Sequence, residues 1–270
     1  MILQRLCFVA LVTCTMSCTL VMHLKQPKQV SNNITGEEFY RQAMTMQWKQ
    51  RDSFAVSRIL QGNMPGFLYR LMPVRVSIID SVTHQTIQAT YFVTADYLSV
   101  GTANNWARIP LTPIAAQVIA DSLHCFLPTR KMVNDIYAAA TVKLEPVPMT
   151  LYRDSSLTMW QHHQLVEAQR KGQTGLIAGI KKDVVISDQL TRSSKTNRVA
   201  IYGWHKPDGH PIQPLYTGHV NWYADYSHGI RLVYRYIRIN GAWMNYAEVM
   251  GHPVLRKLLS DEAAADVLRY

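Results

Sequence analysis

Cysteine is scarce in this chain and badly placed for crosslinking. Of the four, Cys7, Cys14 and Cys18 crowd the first 18 residues and only Cys125 lies in the body, so a disulfide framework is excluded. Beyond the first two dozen residues there is no apolar run long enough to cross a bilayer, which excludes a multi-span membrane protein. Charged residues make up only 17%, and the 13 glycines and 12 prolines form no long polar tract, so the chain is neither disordered nor collagenous. No repeat of 20–50 residues, glycine-rich phosphate loop, zinc finger or nucleic-acid module is present, and nucleic acid is not expected as a partner. What is there is 270 residues, 48% of them hydrophobic, enough for a sizeable core. The 28 Lys and Arg against 18 Asp and Glu give a formal +10, which favours anionic surfaces such as headgroups or acidic glycopolymers.

The first residues have the layout of an export signal. Arg5 precedes the apolar run Leu6-Cys7-Phe8-Val9-Ala10-Leu11-Val12, and small residues follow. Thr15-Met16-Ser17-Cys18 resembles the bacterial lipobox, with Thr15 where that motif usually has Leu. The resemblance implies cleavage after residue 17, acylation of Cys18 and attachment to a membrane of the bacterial cell envelope. An ordinary signal peptide or an uncleaved anchor are the alternatives. Residues 1–17 are thus expected as a lipoprotein-type signal peptide and 18–34 as a polar tether, with Lys25 and Lys28 near headgroups.

Residues 35–270 are expected to form a single α+β domain with β-rich ends and a helical middle. Thr35-Gly36-Glu37-Glu38 reads as a capping box opening a helix to about Gln50. Pro73–Asp80 and Ile87–Thr94 read as a hairpin around a polar turn. Thr112-Pro113 and Pro128-Thr129 each start a helix, a third covers about Ser156–Lys171 with Gly172 as its stop, and a last one is expected over Val254–Leu268. Val184–Ser187, Arg198–Gly203 and Ile230–Ile239 are β-type runs, and Asn240-Gly241 is the strongest hairpin signal in the chain.

Reactive side chains concentrate between Trp204 and Arg231, where four of the ten histidines fall within 24 positions among glycines and prolines. This reads as loops on a scaffold, where sites are usually built. A hydrolase reading makes His219 or His228 the general base, Asp225 its orienting carboxylate, Ser227 or the distant Cys125 the nucleophile and Arg231 the holder of a substrate carboxylate. His205 and Trp204, with Tyr216, Trp222, Tyr223 and Tyr226, would line the substrate. The competing reading is a non-catalytic envelope-binding or structural lipoprotein in which the same groups form a hydrogen-bonded scaffold. No cofactor is required; zinc held by His219, Asp225 and His228 is the alternative, without the downstream His-x-His pair of zinc D,D-carboxypeptidases. Cys125 reads as a buried apolar cysteine. Lys181-Lys182-Asp183 reads as a solvated strand start, with binding of a phosphate or carboxylate as the alternative. His162 and His163, adjacent on a helix, cannot both face one ligand.

Ser227-His228-Gly229-Ile230-Arg231-Leu232 resembles the Ser-His-Gly-Cys-Ile-Arg-Leu box of L,D-transpeptidases, but lacks the cysteine that is their nucleophile. Over a longer span, Leu127-Pro128-Thr129-Arg130-Lys131, Lys181-Lys182-Asp183-Val184-Val185, Ala200-Ile201-Tyr202-Gly203-Trp204-His205 and Asp225-Tyr226-Ser227-His228-Gly229-Ile230-Arg231-Leu232-Val233 resemble a family of uncharacterised exported bacterial proteins. That likeness implies export and transfers no activity.

Overall fold

A computed structural model describes residues 21–27, 32–192, 194–264 and 266–270. The expected signal peptide, Cys18 and Lys28 lie outside the described residues.

The two β-rich segments around the polar turn form the central hairpin as predicted. Arg70–Ile79 pairs antiparallel with Thr86–Thr94, from Leu71↔Thr94 to Ile79↔Thr86. Asp80 closes the turn by accepting from the Val82 amide and the Thr83 hydroxyl. Val233–Tyr234 and Tyr236–Ile239 add to the free side of Thr86–Thr94, and Cys125–Phe126 lies beyond Val233–Tyr234. Asn240 and Gly241, both at positive φ, turn the chain into Ala242–Asn245, as their sequence requires.

The predicted threonine caps form. The Thr112 hydroxyl accepts from the Ala115 amide at the head of the Pro113–Ser122 helix, and that of Thr129 accepts from Met132 at the head of Arg130–Ala139. Ser156–Arg170 ends on Lys171 and Gly172, both left-handed. Apolar faces of these helices and of the sheet share one core that includes Phe39, Tyr91, Phe92, Ile119, Phe126 and Leu232. The architecture is α+β, as expected.

Four local expectations need correction. The first helix is two helices, Gly36–Ala43 and Trp48–Leu60, because Ser156 donates its hydroxyl to the Ala43 carbonyl and Gln47 with Gln50 forms a new reciprocal cap. The last helix is only Tyr246–Gly251 with a 3-10 turn at Leu255–Leu258, since Pro253 cannot continue it and the tail is strapped elsewhere. Asp188 accepts from the Asp266 and Val267 amides, and the Tyr270 hydroxyl accepts from Ala200 and donates to Val185. The segment 204–231 contains a strand, Pro211–Tyr216, whose prolines are tolerated because it is a sheet edge. Finally, residues within the expected tether 18–34 pack on the body: Met22–His23 pairs with Arg70–Ile79, the Leu24 side chain is buried, and Asn63 binds the Ile34 backbone through both its amide atoms.

A second sheet carries the histidine-rich segment. Its order is Pro211–Tyr216, Ala200–His205, Lys182–Val185, His228–Gly229, with the last pair parallel and His228 opposite Lys182. From Gly229 the chain passes directly into the first sheet, where the Ile230 and Leu232 carbonyls accept from Leu98 and Thr94. The segment 225–232 is therefore the seam between the two sheets.

Candidate functional site

Asp225 organises the start of the seam. Its Oδ1 accepts from the Ser227 amide at 2.9 Å and the Ser227 hydroxyl at 2.6 Å. Its Oδ2 accepts from Arg153 Nε at 3.2 Å, Arg153 Nη2 at 3.0 Å and the Tyr223 hydroxyl at 3.1 Å. Burial alone would raise the Asp225 pKa, but the neighbouring His228, the two Ser227 bonds and Arg153 outweigh it and hold the carboxyl well below its usual range. His228 itself is driven down to about 4 by burial, with Asp225 opposing and His219, Lys182 and Lys181 assisting. At neutral pH His228 is thus uncharged, and the Asp225 anion is matched by Arg153 and Ser227.

Gly229 and Arg231 fit the seam for steric and electrostatic reasons. A Cβ on Gly229 would stand 2.5 Å from a Tyr97 ring carbon. That ring lies under the Arg231 guanidinium, 4.2 Å from its centroid, and its hydroxyl donates to Asp183 at 2.8 Å. Arg231 is fully buried and donates to the Thr94 and Ile177 carbonyls. Burial lifts Asp183 to about 7, against the pull of Arg231 and the Tyr97 hydroxyl.

Above Asp225 opens a recess of about 330 Å³ walled by Arg153, Lys182, Gln213, Tyr216, His219 and Tyr223. Lys182 is only 8% exposed, and among the described residues its ammonium makes no hydrogen bond or ion pair; it sits over the Trp204 ring, 5.0 Å from the centroid. His219 is half-buried beside it, its ring 4.8 Å from that of Tyr223 and 6.0 Å from that of His228. Burial, with Lys182 and Arg153, lowers the His219 pKa against the opposing Asp225, so its imidazole is neutral at pH 7.

The structure brings His219, Asp225, Ser227 and His228 into one cluster, but not with the expected division of labour. Ser227 is sealed from solvent and its hydroxyl donates to Asp225 instead of to an imidazole, so it is not an activated nucleophile. Asp225 forms no hydrogen bond with either histidine; both its oxygens are taken by Ser227, Arg153 and Tyr223. Among the described residues neither His228 ring nitrogen has a hydrogen-bond partner, and both are sealed. Arg231, expected to hold a substrate carboxylate, instead faces backbone carbonyls inside the seam. His205 is away from the recess, stacked on Tyr137 and 3.0 Å from Asn134 Oδ1. Trp204 is buried beneath Lys182 instead of lining the opening.

Arg153 is the residue that sequence reasoning missed. For Lys182 the charged triplet leaves two readings, an anion-binding pair and a solvated strand start, and the sequence favours the second. In fact Lys181, Lys182 and Asp183 are all buried, and Lys181 bonds the Tyr226 carbonyl and His162 Nδ1. Burial and nearby Arg108 pull the Lys181 pKa to about 7, against Asp225 and Asp96. His163 turns instead to Arg108, so the two adjacent histidines do face different partners. Cys125 is buried, as expected. Among the described residues no three His, Cys, Asp or Glu side chains converge as a metal-ligand set, and no helix is long and apolar enough to cross a membrane.

Comparison of the chain with protein-family models, curated proteins and solved structures returned no match.

Proposed function

We propose that this is an exported, lipid-anchored protein of the bacterial cell envelope whose Lys182 recess binds an acidic group of peptidoglycan or a related glycopolymer. One observation carries the reading: the ammonium of a largely buried lysine opens into a recess and, among the described residues, makes no hydrogen bond or ion pair, the Asp225 carboxylate at the same wall being already taken by Ser227, Arg153 and Tyr223. Removing a cation from water without pairing it is costly, so such a group is poised to gain from an anionic ligand. Arg153, its side chain 41% exposed, stands on the same wall, and Tyr216 and Tyr223 offer aromatic faces beside it. The leader before Cys18 and the basic net charge of +10 support the compartment and the anionic partner.

The test is co-sedimentation of the purified chain with isolated peptidoglycan sacculi at several salt concentrations. A charge-assisted hydrogen bond contributes about 1.5–3 kcal/mol, so Lys182→Ala should weaken binding about tenfold or more, and Arg153→Ala should weaken it and flatten its salt dependence. Equal binding by both variants and wild type would refute the reading.

The neutral His219 imidazole at the recess favours a second reading, a hydrolase in which His219 carries the proton. Muropeptide profiles of sacculi incubated with wild type and with His219→Ala separate the two readings. Products formed by wild type and lost in the variant favour the enzyme; binding without products favours the binding module.

A further inference from the structure

We infer that the recess on the other side of Tyr223 is a second anion-binding subsite, which takes an acidic sugar unit of the polymer held at Lys182. The inference rests on the reading of the Lys182 recess. The same two chain segments wall both recesses. Arg153 faces one and Asp154–Ser156 the other; His219 and Asp225 face one, and Val220 and Trp222 the other. Tyr223 is common to both, so a ligand that extends past its ring passes from one recess to the next.

The second recess, about 350 Å³, repeats the electrostatic situation of the first. Arg51 lines it and is 4% exposed. Its Nη1 donates to the Asp154 carbonyl at 3.0 Å, its Nε has no partner, and among the described residues it forms no ion pair. Two helices, Trp48–Leu60 and Ser156–Arg170, also begin at this recess, each adding the positive end of its dipole. Arg51 stabilises the neighbouring Asp52 carboxylate only at a distance, with no direct ion pair among the described residues, so a buried guanidinium with a free Nε between two helix N-termini still favours a carboxylate or phosphate.

The flanks indicate what carries that anion. Trp48 and Trp222, 38% and 45% exposed, stand at this recess, and aromatic faces of this kind stack on the apolar faces of sugar rings. An extended peptide would be held by a strand edge, yet none of the lining residues belongs to a strand, and only Val220 makes an isolated bridge, to Arg198. Two cationic subsites on either side of Tyr223 suit a polymer with a recurring acidic sugar.

The test uses peptide-free glycan chains of alternating N-acetylglucosamine and N-acetylmuramic acid, which bear a carboxylate on every second ring, and neutral N-acetylglucosamine tetramer as comparator. Binding to the full chain is read by calorimetry and tryptophan fluorescence. The expected result is binding of the acidic chains about tenfold or more tighter than of the neutral tetramer, with Trp222→Ala weakening it severalfold and Arg51→Gln reducing, but not abolishing, the preference for the acid, since the Lys182 subsite remains. Trp222 is exposed, so its variant keeps the test open if Arg51→Gln does not fold. Loss of binding in Lys182→Ala with none in Trp222→Ala would overturn the second subsite while leaving the first. Equal binding of neutral and acidic chains, or binding of a free stem peptide in their place, would also overturn it. No binding of any glycan by wild type would overturn both.

Discussion

Replacing Gly229 by alanine tests whether the seam is as tightly built as its geometry states. Gly229 does not need a positive φ, so the backbone accepts alanine and only the added methyl matters. That methyl would stand 2.5 and 2.7 Å from two Tyr97 ring carbons and 2.6 Å from Lys181 Cβ. Neither neighbour is free to retreat. Tyr97 is tied to Asp183 through its hydroxyl and lies beneath Arg231, and Lys181 is bonded to Tyr226 and His162. Overpacking costs about 1–3 kcal/mol, and displacing the Tyr97 hydroxyl from buried Asp183 adds about 1–3 kcal/mol. A chain of this size loses roughly 2–4 °C per kcal/mol, so thermal melts followed by circular dichroism should show a Tm lower by about 4–24 °C. Gly251→Ala, where nothing lies within 4 Å of the new methyl, is the control and should stay close to wild type. The cost should also shrink in a Tyr97→Leu background, because the two positions share one space. A Gly229→Ala melt within about 2 °C of wild type would refute the packing argument.

Two further predictions concern pH and anchoring. His228 has a folded pKa of about 4 against an ordinary 6.5, so the unfolded chain binds the proton first and stability falls as the pH drops from about 6.5 to 4, by about 3 kcal/mol from this residue. His205, also at about 4 through burial, acts in the same direction, whereas the depressed Asp225 stabilises above the ordinary carboxyl pKa and loses that contribution only as the pH falls through its own low value. Urea unfolding at pH 7, 5.5 and 4.5 checks this, and a flat profile refutes it. Cys18→Ala should move the protein from the membrane fraction to the soluble one. Because Met22 already belongs to the sheet, the four steps from Cys18 span at most about 14 Å, which keeps an acylated body close to its membrane. Unchanged fractionation of the variant would rule out acylation as the anchor.

The sequence alone determined the elements whose cause is local. Thr112, Thr129 and Ser155 cap helices because a hydroxyl needs only an amide three residues away, and Asn240-Gly241 turns because both residues tolerate positive φ. The central hairpin followed from two β-rich runs around a polar turn, which neighbouring strands satisfy without help from distant parts of the chain. Elements with a distant cause were not legible. At the break in the first helix the Ala43 carbonyl accepts from the distant Ser156 hydroxyl as well as from the local Met46 amide, and the tail is not helical because Asp188 and Tyr270 strap it to the body. The candidate site divides the same way. The cluster of His219, Asp225, Ser227 and His228 was visible as a local concentration of polar residues. Which of them face solvent was not, since that depends on the parallel pairing of His228 with Lys182 and on Tyr97 covering the seam. Burial turned Arg231 from a presumed ligand contact into a structural link and turned Lys182 and Arg51 into unpaired cations beside open recesses. A residue's charge is written in its side chain, but whether that charge has a partner is decided by what the fold packs around it.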